Sequence, residues 1–216
     1  YEDEKKSDLV LYQGAKGTIE GEVDTKHSLF PNDFGSGFYL GQALAQANSW
    51  VAGNKGSSTY CFYFNPQGLK SMEFDVDFAW MYAILYFRRQ LEGYELPESI
   101  RGTLDKINEC DFLVAPVADN QMYDTLEMFR NNLISDVACL HALSANNLGK
   151  QIVLKTERAC AALTPIARLY LCQNEREHYL QLKEKNGKEG RNKASLSLSQ
   201  YRKEGSLFHE LFKRKG

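Results

Sequence analysis

The seven residues from Thr59 to Asn65 read TYCFYFN, almost all aromatic or β-branched. Such a run reads as a central strand, which must have neighbouring strands to pair with and helices to cover it. The chain supplies both. LVLYQG (Leu9 to Gly14), GFYLG, DFLVAPVAD (Asp111 to Asp119), QIVLK (Gln151 to Lys155) and IARLYL read as further short strands. Between them, QALAQANSWVA (Gln42 to Ala52) has apolar residues at helical spacing, and the segment from Asp77 to Gly93 opens on an N-cap aspartate and is apolar nearly all round. Further helices are predicted over Glu98 to Glu109, near Leu126 to Asn131 and Val137 to Asn146, and after Thr156 as a cap. No internal repeat is present, so the expectation is a mixed α/β (α+β) fold.

At 216 residues with 43% hydrophobic content, the chain can build one compact domain, expected over 1–175, followed by a charged helix and basic tail over 176–216. The net charge of -2 hides an asymmetry. From Lys183 onward ten lysines and arginines face four glutamates, and NGKEGRNKASLSLSQ has the composition of a mobile linker. The closing LFHELFKRK reads as a short amphipathic helix. Its Phe208 and Phe212, beside Lys213, Arg214 and Lys215, suit either docking or contact with nucleic acid.

Cys61, Cys110, Cys139, Cys160 and Cys172 are odd in number and widely spaced, so they read as reduced, buried thiols of a cytosolic protein. The four histidines add no ligand spacing, and no metal is expected. The longest apolar run, Phe78 to Phe87, covers about 15 Å as a helix, half of a bilayer core, and the charged start carries no signal-peptide pattern. No membrane partner is expected.

The stretch DFGSGFYLG, Asp33 to Gly41, crowds Gly35 and Gly37 among three aromatics and closes on a third glycine. Alone it reads as a tight bend whose aromatics enter the core, or as a surface for a flat, charged ring. Taken in order, LYQG, FGSGFYLGQALAQANSW and QIVLK resemble the ADP-ribosyltransferase fold of the poly(ADP-ribose) polymerases. The likeness is nearest to a bacterial family of uncharacterised transferase-like domains, whose late pattern LGKQIVLKTERA (Leu148 to Ala159) follows almost throughout. That resemblance implies split β-sheets around a cleft for NAD, the substrate, and transfer of one ADP-ribose to a protein or nucleic-acid acceptor. It implies a bacterial toxin, effector or anti-phage factor, working in the cytoplasm or delivered into a target cell's cytosol, with a neutralising antitoxin-like partner.

By the same correspondence, the pyridinium ring of NAD lies between Tyr39 and Trp50, and the main chain of Gly14 grips its amide. Tyr12, Phe34, Gly35, Gly37 and Phe38 complete the cofactor surface, with Gly35 and Gly37 keeping the approach to Tyr39 low. Gln13 stands where the fold usually has histidine, and Gln151 where it usually has glutamate. Both retain hydrogen bonding and lose charge. Asp119, Asp124 or Glu157 is then expected to supply the missing carboxylate. Glu157 is equally explained by the helix start it occupies and Asp119 by a turn, while Asp33 is expected to fix its own loop. An inactive NAD-binding or interaction module and an NAD glycohydrolase are the alternatives.

Overall fold

The computed structural model describes residues 7–26, 32–117, 120–144 and 148–215. The strands and helices alternate along the chain as β1 (Leu9–Ala15), β2 (Phe38–Gly41), α1 (Leu44–Val51), β3 (Ser58–Phe64), β4 (Ser71–Glu73), α2 (Phe78–Phe87), α3 (Glu98–Glu109), β5 (Phe112–Pro116), α4 (Asn120–Arg130), α5 (Asp136–Ser144), β6 (Lys150–Leu154), α6 (Glu157–Cys160), β7 (Leu163–Leu169), α7 (Gln173–Gln200) and α8 (Phe208–Leu211). The fold is mixed α+β.

All seven strands form one sheet, in the order β4-β5-β6-β2-β1-β3-β7, antiparallel except for β4 beside β5. Its two halves meet at a single position, Tyr12 opposite Gly41, whereas β1 and β3 pair over seven positions. Because paired residues share a face, one row crosses six strands: Ala115, Gln151, Gly41, Tyr12, Cys61 and Ala167. The face bearing this row packs α2 to α5 over Leu113, Val153 and Tyr39. The opposite face buries Leu11, Phe38, Phe62, Phe112 and Leu154.

Local chemistry accounts for the element ends. Asp77 caps α2 by accepting from Trp80 N at 2.8 Å, and Thr156 caps α6 by accepting from Ala159 N at 3.2 Å. Among the described residues, the only elements not expected from sequence are β4, three residues long, and the full extent of α7. The linker expected at 186–200 is helical instead: Gly187 and Gly190 are its buried positions, and bare glycine surface lets the helix lie close to its neighbours.

The tail also differs from expectation. Phe208 and Phe212 are buried in the same cluster as Trp80, with their rings 4.6 Å apart, so neither face is open to a base. The backbone of Lys213 to Lys215 lies along Gly93 to Glu95, accepting from Glu95 N at 2.8 Å and donating to Gly93 O at 2.9 Å. Four cysteines are buried; Cys172 is exposed at the start of α7, contrary to the reading of all five as core. Burial, aided by the charge of Asp136 near Cys139 and of Glu157 and Asp24 near Cys160, pushes these thiols upward, the latter to about 12, which keeps them protonated. No group of metal-ligating side chains occurs among the described residues, and no described helix is long and apolar enough to cross a membrane.

Candidate active site at the join of the sheet

The three sequence segments singled out above become neighbours at the centre of the sheet, because β6, β2 and β1 are adjacent. Gly41 pairs with Gln151 on one side and Tyr12 on the other. Gln13 and Gly14 follow Tyr12 where β1 continues beyond the join.

The loop before β2 is fastened from four directions. Arg88, which ends α2, donates to Asp33 Oδ1 from Nε at 3.0 Å and from a terminal nitrogen at 2.6 Å. Gln151 Nε2 donates to Asp33 Oδ2 and to the Pro116 carbonyl, both at 3.2 Å. Tyr39 donates its hydroxyl to Gly35 O at 2.7 Å and accepts from Phe34 N at 3.1 Å. Lys155 Nζ donates to Phe34 O and, at 2.8 Å, to Ser36 O, with the Phe87 ring 5.3 Å away. Desolvation drives the Tyr39 hydroxyl well above its ordinary range, aided by the nearby Asp33 charge, and drives the Lys155 amine down to about 8.

That fastening answers why glycine and aromatics alternate here. Gly35 has φ +73°, and a Cβ there would stand 2.9 Å from the Phe87 ring. A Cβ on Gly37 would stand 2.8 Å from Leu154 O. The glycines make room for core and strand, and do not shape an approach to Tyr39. Phe34 and Phe38 are corrected likewise: at 0% and 1% exposure, stacked on Phe74 and edge-on to Phe62, they are core residues with no surface for NAD. Asp33 does more than fix its own loop, since its carboxylate holds Gln151, 118 residues away.

Helix α1 lies across Gly14. A Cβ there would meet Ala47 O at 2.7 Å and Val51 Cγ1 at 2.8 Å, so the glycine is what allows helix and strand to touch. Trp50, on the outer side of α1, is 59% exposed and opens onto a cavity of about 480 Å³ between α1, the Val117 and Gly149 backbone, and Leu182 to Gly187 of α7. Tyr39 and Gly14 do not line this cavity, so the expected sandwich of Tyr39 and Trp50 is replaced by one aromatic wall. A smaller hollow of about 280 Å³ continues past Val117 and Gly149 to Trp80 and Pro116.

Helix α7 is tied down at both ends of this span. Arg176 reaches the carbonyls of Ala52, Asn54 and Ser57, and the Tyr201 ring stacks on His141 at 3.7 Å.

Gln13 is half-buried on the opposite face, beside Tyr60, and its amide has no hydrogen-bond partner among the described residues. Tyr12 is half-buried in the six-strand row. Of the candidate acids, Glu157 is exposed and spent on Thr25, whose hydroxyl donates to it at 2.6 Å; that bond lowers its pKa. Asp124 is exposed on α4, which packs on α5 and α8. Asp119 lies outside the described residues. Sequence reading missed Arg88 and Lys155. Arg88 looks like the basic end of a helix, and only tertiary folding turns it toward Asp33.

A family model described as "Protein of unknown function (DUF3990)" matches residues 9–164. The chain belongs to the DUF3990 family. No curated protein and no solved structure gives a match. The DUF3990 region runs from β1 to the first residues of β7, so it contains the whole fastened loop and the Trp50 side of the cavity, while α7 and α8 lie beyond it.

Proposed function

We propose that this DUF3990 protein is an NAD-dependent mono-ADP-ribosyltransferase acting on a macromolecular acceptor, protein or nucleic acid. The observation that carries the reading is the adjacency of β6, β2 and β1, with Gln151, Gly41 and Tyr12 in one row. Three segments far apart in sequence, each resembling part of the transferase motif set, meet beside a cavity of small-molecule size. Trp50 offers a face for the pyridinium, and Lys183 on the facing helix offers a positive charge to a phosphate. In the reaction, the bond between ribose and nicotinamide breaks, and its electron pair leaves with the neutral base. The cationic ribose carbon then takes a lone pair from the acceptor, which sheds a proton. A role as a bacterial toxin, effector or anti-phage factor with a neutralising partner extends the same resemblance.

One observation favours a second reading, an NAD-binding module without catalysis. Both resemblance positions that usually ionise are glutamines, and the nearest buried carboxylate, Asp33, is neutralised by Arg88. Incubation with NAD labelled in the adenylate part distinguishes the readings. Free nicotinamide with label on material destroyed by protease or nuclease supports transfer and names the acceptor class. Nicotinamide without labelled macromolecule marks a glycohydrolase, and binding without nicotinamide marks the module.

A further inference from the structure

Gln151 is 8% exposed, so its amide must find hydrogen-bond partners in the protein or in a ligand. An amide has two N–H bonds and a carbonyl oxygen with two lone pairs. Both neighbours of its nitrogen, the Asp33 carboxylate and the Pro116 carbonyl, can only accept. The orientation is therefore dictated by the partners: the nitrogen must face them. Pro116 O is itself held by Trp80 Nε1 at 3.3 Å, and Asp33 by the two nitrogens of Arg88. The carbonyl oxygen of Gln151 is left without a donor among the described residues, in the row where the motif strands meet.

We propose that Asp33 is a positioning residue: clamped by Arg88, it acts with the Pro116 carbonyl to use both N–H bonds of Gln151, so that Gln151 presents only its carbonyl oxygen, as acceptor for a sugar hydroxyl. The identity of that sugar, a ribose of NAD, rests on the transferase reading; the orientation does not. A corollary follows for the residue type. Glutamate at 151 would set a second carboxylate against Asp33 with no proton between them, so in this chain the aspartate and the glutamine belong together.

The test uses the full chain as wild type, Gln151→Glu, Asp33→Asn and the double variant, each measured for urea midpoint and for NAD affinity by calorimetry. Gln151→Glu alone lowers the midpoint and weakens NAD binding about tenfold or more; adding Asp33→Asn, which supplies an N–H toward the new carboxylate, returns both toward wild type. The pH profile separates positioning from general destabilisation: the single variant regains affinity as pH falls and the carboxyl pair takes up a proton, and the double variant does not. Should a variant fail to fold, nitrogen-labelled glutamine in the wild type decides the orientation, with both Gln151 side-chain amide protons exchanging slowly.

Equal tolerance of Gln151→Glu with and without Asp33, or fast exchange of either amide proton, overturns the proposal. If wild type binds no NAD while the stability cycle and the slow exchange hold, the sugar half falls with the transferase reading and the orientation stands.

Discussion

On one side of the sheet's centre, β4, β5, β6 and β2 carry the larger core, and polar side chains reach across long stretches of chain to lock it: Arg88 and Gln151 to Asp33, Lys155 to Phe34 and Ser36. On the other side, β1, β3 and β7 end in a strand that leaves Ile166, Leu169 and Tyr170 exposed, with Arg168 lying 5.0 Å from the Tyr60 and Tyr170 rings at the surface. Buried charge is costly unless paired and hydrogen-bonded, so the first half gains definition from a lock built on the buried Asp33 carboxylate. Long-range bonds of the second half instead run from Arg168 to Ser58 and from Arg176 to the Ala52, Asn54 and Ser57 carbonyls. The half holding Gln151 is built to keep one side chain still. The half holding Gln13 and Gly14 depends on α1, on its own strand pairing and on arginine contacts at the start of β3.

Four substitutions sharpen or break that contrast. The largest effect is expected at Phe208, which completes the locked half from the far end of the chain: Phe208→Ala removes a ring 1% exposed and lowers unfolding free energy by about 3–5 kcal/mol in urea titration. A result near zero would return the C-terminal segment to the status of a loose tail. Next comes Gly14→Ala in the open half. Its Cβ would strike the Ala47 carbonyl, a backbone atom, for a loss of about 1–3 kcal/mol, and circular dichroism with urea titration reports it.

Lys155 offers a pH-dependent test of the lock. Burial lowers its amine from the ordinary 10.5 to about 8, so between those values the unfolded chain binds more protons than the folded one, and this group's contribution to stability rises with pH. Wild type should therefore gain on Lys155→Met by roughly 1–3 kcal/mol as pH is raised from 8 to 10.5, with no further change below pH 8. A gap that is flat across the window would show that the amine is solvated. The smallest effect is expected at Ile166, 56% exposed on β7, where Ile166→Thr stays within about 0.5 kcal/mol of wild type.

Much of the scaffold was legible because it obeys local rules. TYCFYFN is β3, Glu98 to Glu109 is α3, and the caps at Asp77 and Thr156 make the bonds their residue types suggest. Strand β4 was illegible because three residues have no period to read, and it exists only by pairing with β5. Helix α7 was hidden by its own solution to packing: glycines three residues apart signal a linker in composition, and the helix uses them as its contact surface. In the candidate site, the resemblance of three segments to the transferase motif set implied that β1, β2 and β6 belong together, and the sheet joins them. It could not tell which side chains in DFGSGFYLG face inward. Phe34, Phe38 and Tyr39 have the residue types of a ring-binding surface and of a core alike, and the choice between these depends on what α2 and β6 bring against them.

A seam closed by one rung, Tyr12 against Gly41, divides the molecule's resistance to opening unevenly. Prying the sheet apart anywhere else breaks several backbone bonds at once, whereas a scissoring excursion here sacrifices a single pairing and is restrained chiefly by α1, which touches β1, β2 and β3 and is itself backed by α7. Deuterium uptake should therefore begin at Tyr12 and Gly41 and reach β3 and β6 last.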